Sequence, residues 1–203
     1  AKIKNIKGRQ VFDSRGNPTV EAEVISDNGN SASAIVPSGA STGNYEAFEL
    51  RDKENQNYLG KSIFKAIENI NGPIIKSLSN IDVNNQKKID KVLIDLDGTE
   101  QKKKLGANAI LAVSIASCKL AAIEKKTSLF KYLGNSKDYH LPIPLLNIIN
   151  GGVHAKNNLD IQEFMIRPEK TEKFSEALRR SFLVIQNLKE MVDNTTVGDE
   201  GGF

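Results

Sequence analysis

Cysteine and histidine are scarce in this chain: Cys118, His140 and His154 are the only ones among 203 residues. A single thiol excludes an internal disulfide and suits a reducing compartment. Cys118 lies in the Ala-rich stretch 107–122, where it reads as a small core residue rather than a nucleophile. An excess of one charge is also missing, since 28 Lys and Arg stand against 25 Asp and Glu for a formal net charge of +3. That balance is too slight and too evenly mixed for a nucleic-acid face, and the longest basic cluster, Lys102 to Lys104, reads as solvated surface. No apolar run approaches the roughly 18 residues of a membrane span. The opening AKIKNIKG lacks the apolar segment of a secretory signal. Neither nucleic acid nor membrane is expected as a partner, and the cytoplasm is the expected location.

What is present suffices for a core, with 39% hydrophobic residues. From Lys2 to Val36 apolar and polar residues alternate, as in Val20, Ala22 and Val24 against Glu21 and Glu23, and Asp27-Asn28-Gly29 supplies a tight reversal. This pattern predicts a three-stranded antiparallel meander with one buried face. The period then turns helical. Ile63, Ile67, Ile70, Ile74 and Leu78 share a helical face over 61–78, although Gly72-Pro73 should break or kink it. Further helices are expected over about 84–93 and 105–125, separated by an Asp97-Gly98 turn.

Turn formers crowd 134–144, which reads as a linker. Beyond it LLNIIN (145–150) and IQEFMI (161–166) have the compactness of buried strands, and Thr171 to Val192 is expected to be a helix with Phe174, Leu178, Phe182, Ile185, Leu188 and Val192 on its apolar stripe. The expected fold class is therefore an α+β N-terminal domain, the meander plus helices, followed by the start of an α/β barrel that is incomplete in this chain. The boundaries are 1–133 for the first domain, 134–140 for the linker and 141–203 for the second, whose open edges and uncovered stripe favour association.

Four features carry chemistry. Ser38-Gly39-Ala40-Ser41-Thr42-Gly43 is a small-residue, hydroxyl-bearing loop after a strand, able to approach a cation or phosphate or to serve as a plain flexible loop. It lacks the Lys of a nucleotide-binding phosphate loop. His154 follows Gly151-Gly152 at a strand end, where ligand-facing residues collect in barrels. Glu163 interrupts an apolar run, and a carboxylate there is costly unless it is paired or bound to a substrate. Asp199-Glu200 is enclosed by Gly198, Gly201 and Gly202, so its carboxyls can approach a ligand closely and act as acids, or form a solvated acidic turn.

The segments FDSRGNPTVEAEV (12–24), VPSGASTG (36–43), DLDGTE (95–100), GANAILAVS (106–114), PIPLLNIINGG (142–152), IQEFMI (161–166) and VGDEGGF (197–203) together resemble the first half of enolase, in order and without a large gap. The resemblance implies a Mg²⁺-dependent lyase that reversibly dehydrates 2-phosphoglycerate to phosphoenolpyruvate. It implies that Glu200 is the general acid for the departing C3 hydroxyl and that Glu163 assists beside it. Gln162 would lie near the substrate, His154 would contact its phosphate side, and Ser41 would help hold the second of two Mg²⁺ ions. The family's principal Mg²⁺ ligands and its Lys base have no counterpart in 1–203, so the chain alone is expected to be inactive. A homodimer is implied by resemblance only. The competing reading is a non-catalytic fragment or interaction protein built on the same scaffold.

Overall fold

Val20, Ala22 and Val24 are fully buried in the central strand of a three-stranded antiparallel sheet, order β1-β2-β3, formed by β1 (Ile3–Phe12), β2 (Pro18–Ser26) and β3 (Ser31–Val36). The alternation places Glu21 and Glu23 on the opposite face, where Arg9 of β1 reaches both carboxylates. Gly29 closes the reversal at a φ of +86°, a conformation that glycine adopts without a Cβ penalty. The computed structural model describes residues 1–39, 42–54, 56–134, 136–193, 195–198 and 200–203, and these divide into two units, Ala1–Ser136 and Lys137–Phe203.

In the first unit the expected break at Gly72-Pro73 does not occur. Helix α1 (Phe64–Asn69) runs through a π-helical segment (Ile70–Ile74) into α2 (Ile75–Leu78). Proline supplies no N–H and its ring crowds the preceding turn, and one widened turn absorbs both effects without ending the helix. Ile63, Ile70, Ile74 and Leu78 are fully buried as the pattern predicts, and Ile67 partly so. The π segment sits close on β1: a Cβ at Gly8 would lie 2.9 Å from Ile70 Cβ, while the Gly8 N–H donates to Asn71 Oδ1 at 2.7 Å.

Helix α3 (Gln86–Asp97) starts on the Asn85 side chain, which accepts from the Lys88 N–H, and ends at Gly98 in the left-handed region. Asp97, expected only as a turn residue, is buried. Burial by itself would raise its carboxyl, but hydrogen bonds from Thr99 and from the Leu105 N–H (2.7 Å) outweigh it and hold the group below the usual carboxylate range. Helix α4 (Ala107–Glu124) is long and apolar enough to cross a membrane by length and composition alone, although Asn108, Ser114, Ser117 and Lys119 interrupt its apolar residues and half of it is buried inside the unit. Its apolar character has a local cause. Ala109, Ala112, Val113, Ala116, Leu120 and Ala121 are buried where α4 packs on β2 and β3. Small residues let the helix lie close to the sheet. The short α5 (Leu129–Leu133) completes the unit.

In the second unit β4 (Leu146–Asn150) and β5 (Glu163–Ile166) form an antiparallel pair, followed by α6 (Phe174–Met191). The Asn150 N–H donates to the Phe203 carbonyl and the Phe203 N–H donates to the Ile148 carbonyl, both at 3.0 Å. That pair of bonds is the parallel pattern. Two strands, a helix and a return beside β4 in the parallel sense make the opening steps of an α/β barrel. One expectation is corrected. The strands are not deeply buried, because Phe164 and Met165 are exposed and of β4 only Asn150 is fully covered. On α6 the buried positions are Ala177 and Ser181, and Phe174, Leu178 and Phe182 are 37%, 43% and 58% exposed, so the stripe is uncovered as expected. A two-stranded sheet covers only a narrow band of a helix. Periodicity identifies residues that share a face but not the edge of that face which is covered.

Candidate active site

Three backbone features of the second unit converge on one imidazole. Asn150 at the end of β4 pairs with Glu163 at the start of β5, which sets the Glu163 carboxyl at the strand mouth. The connection between them folds tightly: the Gly151 N–H donates to the Gln162 carbonyl at 2.9 Å and the Gly152 N–H to the Leu159 carbonyl at 2.7 Å. A single 3-10 turn, Gly152–His154, then swings His154 back over the strand ends. Glu200 arrives from a turn closed by the Gly198 N–H on the Gly202 carbonyl (2.8 Å), with Gly201 at a φ of +83°.

The result is a compact group. The His154 side chain is only 8% exposed, and its Nδ1 lies 3.0 Å from Glu200 Oε2 and 3.5 Å from Glu163 Oε1. Nδ1 makes no hydrogen bond among the described residues, so both approaches are electrostatic rather than directional. The Gln162 amide meets the other ring nitrogen, Nε2, at 2.8 Å. With the amide nitrogen so oriented, it donates to Nε2 and leaves the ring proton on Nδ1. The hydrogen bond with Glu200, burial and the Glu200 charge together push the Glu163 carboxyl above its ordinary value, and the His154 charge opposes them. Two adjacent carboxylates that cannot both ionise freely share a proton, and that proton belongs to the pair rather than to either residue. The arrangement can therefore hold a transferable proton beside an imidazole.

His154, Gln162, Glu163 and Glu200, each singled out from sequence, are thus brought together. Ser41 and Asp199 lie outside the described residues. Of the 38–43 loop, Ser38 is tied down: its hydroxyl donates to Glu49 and accepts from Arg51, and its carbonyl accepts from Arg15. The loop borders a cavity of about 640 Å³ in the first unit, lined also by Val36, Phe48, Asn108 and Leu111. Sequence reading passed over Asn150. It is fully buried, its side-chain amide has no partner among the described residues, and Gly198 and Gly202 lie against its Oδ1. The available signal was a polar residue inside an apolar run, the same one that exposed Glu163.

Gly151 sets the tightest constraint on the site. A Cβ there would lie 2.3 Å from the Ile161 carbonyl oxygen and 2.7 Å from Leu159 Cβ. Gly151→Ala must therefore displace the segment that carries Gln162, at an overpacking cost of about 1–3 kcal/mol. Limited proteolysis within 151–162 is expected to accelerate roughly tenfold, as local opening becomes easier by about that energy. An unchanged cleavage rate, with unshifted amide resonances over 145–166, would show that this contact does not hold the loop.

Comparison with known sequences gives the family. The family profile described as the enolase N-terminal domain matches residues 3–133, two-thirds of the chain. The chain belongs to the enolase family. The enolase C-terminal TIM barrel domain profile matches residues 138–203, the stretch that holds the His154 group. Enolase of Pelagibacter ubique (strain HTCC1062) is 58% identical over 207 residues, covering 100% of this chain and 49% of the relative. The chain thus spans about half the length of the curated enolase it matches. The first unit corresponds to the enolase N-terminal domain, and the second to the opening of the enolase barrel.

Proposed function

We propose that the protein carrying this chain is a lyase that reversibly dehydrates 2-phosphoglycerate to phosphoenolpyruvate. Family membership and the 58% identity to a named enolase support the reaction class. The observation that supports this chain's part in it is the meeting of Glu200, Glu163, His154 and Gln162, with the Glu163 carboxyl raised by its acidic neighbour. The reaction must remove a proton from the carbon beside a carboxylate and expel the C3 hydroxyl. Expulsion needs an acid that still holds its proton near neutrality. In this reading Glu200 delivers the proton to the leaving oxygen. Glu163 shares the proton and keeps it available, and His154, with its ring steadied by Gln162, faces the phosphate side of the substrate.

Magnesium, which the family uses to stabilise the enediolate, does not fit the donors described here. Mg²⁺ takes about six oxygen ligands in near-octahedral geometry, whereas this group offers one imidazole nitrogen and two carboxylates. Ser41, the residue that sequence resemblance directs to the second ion, is outside the described residues. No step performed by this chain is accordingly routed through the metal, and the principal ion and the base are assigned to parts of the family fold that these 203 residues do not match. A cytoplasmic homodimer is proposed on resemblance alone.

The test is ultraviolet detection of the enol product from 2-phosphoglycerate and Mg²⁺. Product is expected from the intact coding frame that contains this sequence and not from the 203-residue chain alone. Absence of product from the intact protein would refute the function. Steady formation by the isolated chain would refute the division of the site.

A further inference from the structure

In an asparagine–glycine pair the glycine nitrogen can reach the preceding side-chain carbonyl, because glycine carries no Cβ to obstruct the approach. Three such pairs occur, Asn28-Gly29, Asn71-Gly72 and Asn150-Gly151, and the fold treats them differently. Asn150 is fully buried, and the Gly151 N–H is committed to the Gln162 carbonyl at 2.9 Å in a segment without room for a Cβ. Asn71 is exposed but lies in the π-helical segment with both amide atoms held by Gly8. Its Oδ1 accepts from the Gly8 N–H at 2.7 Å and its Nδ2 donates to the Gly8 carbonyl at 3.1 Å. Asn28 stands in the β2–β3 turn, where it and Gly29 are both exposed and nothing lies within 4 Å of the place a Gly29 Cβ would take. The Gly29 N–H is tied to the Ser26 carbonyl by a 3.1 Å bond that is open to solvent.

A second observation gives a reaction at Asn28 a structural consequence. Its Nδ2 donates to Glu124 Oε2 at 2.8 Å, at the C-terminal end of α4, and the same carboxylate accepts from Ser26 Oγ at 2.5 Å and Asn30 Nδ2 at 3.1 Å. Hydrogen bonds from Ser26 and then Asn28 hold the Glu124 carboxyl below its ordinary range. A negative charge at a helix C-terminus is opposed by the helix dipole, so Glu124 depends on the donors of this turn.

We propose that Asn28 is a deamidation site whose conversion loosens the β2–β3 turn from the end of α4. The Gly29 nitrogen gives up its proton and bonds to Asn28 Cγ, the Cγ–Nδ2 bond breaks, and the amide nitrogen leaves with that proton as ammonia. Water then opens the succinimide ring at either carbonyl and leaves a carboxylate, so the sequence needs water alone and neither oxidant nor cofactor. Opening at one carbonyl turns the donor that faces Glu124 into a second acid, and the 2.8 Å hydrogen bond becomes a like-charge contact. Opening at the other removes the same donor and also lengthens the backbone of the turn. The inference is independent of the lyase reading, in which residues 26–30 and Glu124 take no part.

Peptide mapping by mass spectrometry of the intact protein, incubated at neutral pH in oxygen-18 water, tests the assignment without any substitution. Asn28 is expected to take up heavy oxygen at least ~100-fold faster than Asn71 or Asn150, which react only when local opening frees them. In denaturant the three rates should converge. Asn28→Asp stands in for one product: the melting midpoint should fall by roughly 2–5 °C, and amide exchange over 26–31 should quicken. In a Glu124→Gln background, where the opposing charge is gone, the same change should cost less. Conversion of Asn71 or Asn150 ahead of Asn28, equal rates for the three in the folded protein, or an Asn28→Asp penalty undiminished by Glu124→Gln would overturn the proposal.

Discussion

Glu200→Gln is expected to lower turnover of 2-phosphoglycerate in the intact protein by a factor of about 10²–10⁴, the usual contribution of a positioned acid. The amide matches the carboxyl in shape but has no proton to deliver. The loss should fall mainly on kcat, with KM changing little, because the interaction that is removed develops only as the C3–O bond breaks. Glu163→Gln should cost less, since it leaves the donor in place and removes only the neighbour that shares its proton. The geometry sets a sharp alternative, because the Glu163 carboxyl is the one pushed upward. If Glu163→Gln proved the more damaging change while Glu200→Gln kept activity within a few-fold, the two roles would have to be exchanged.

Leu120→Ala should have the largest effect on stability. Leu120 is fully buried on the face of α4 that packs on β2 and β3, among alanines too small to move into a gap. Truncation loses transfer free energy and leaves a cavity, together worth about 2–5 kcal/mol. Against a domain stability of about 5–15 kcal/mol this is a large share. The melting midpoint of the first unit should drop by on the order of 10 °C. Ile123 on the same helix is 44% exposed, so Ile123→Ala should cost about 1 kcal/mol or less. Equal shifts for the two variants in thermal melts would mean that α4 is not the core helix of this unit.

The contrast between these residues shows what a sequence conveys. Strand period made the meander legible because one face of β2 is buried and the other wet, and a period of two states that directly. Helical period located Ile63, Ile70, Ile74 and Leu78, which do form a buried face. It could not show that Pro73 would be taken up by a π turn. A broken helix and a widened one present the same residues to the same core, and the difference lies in how closely Ile70 approaches Gly8. On α6 the same kind of pattern marked the apolar stripe, but which edge of a stripe is covered depends on the width of the layer beneath it. Asp97 and Asn150 were passed over because a polar residue's burial is decided by the groups that surround it, not by its neighbours in the chain.

The candidate site divides in the same way. Sequence by itself determined its membership: His154 after two glycines, Glu163 inside an apolar run, and Glu200 in a glycine-rich turn are each unusual enough to be picked out, and together they resemble one family. Only the tertiary structure decided that they meet, with Nδ1 3.0 Å and 3.5 Å from the two carboxylates. It also decided that the Glu163 carboxyl is pushed above its ordinary value by the Glu200 carboxyl beside it. Charge–charge repulsion and desolvation depend on separation in space, and residues 154, 163 and 200 acquire that separation only when the β4–β5 connection and the closing glycine turn fold over the same strand ends.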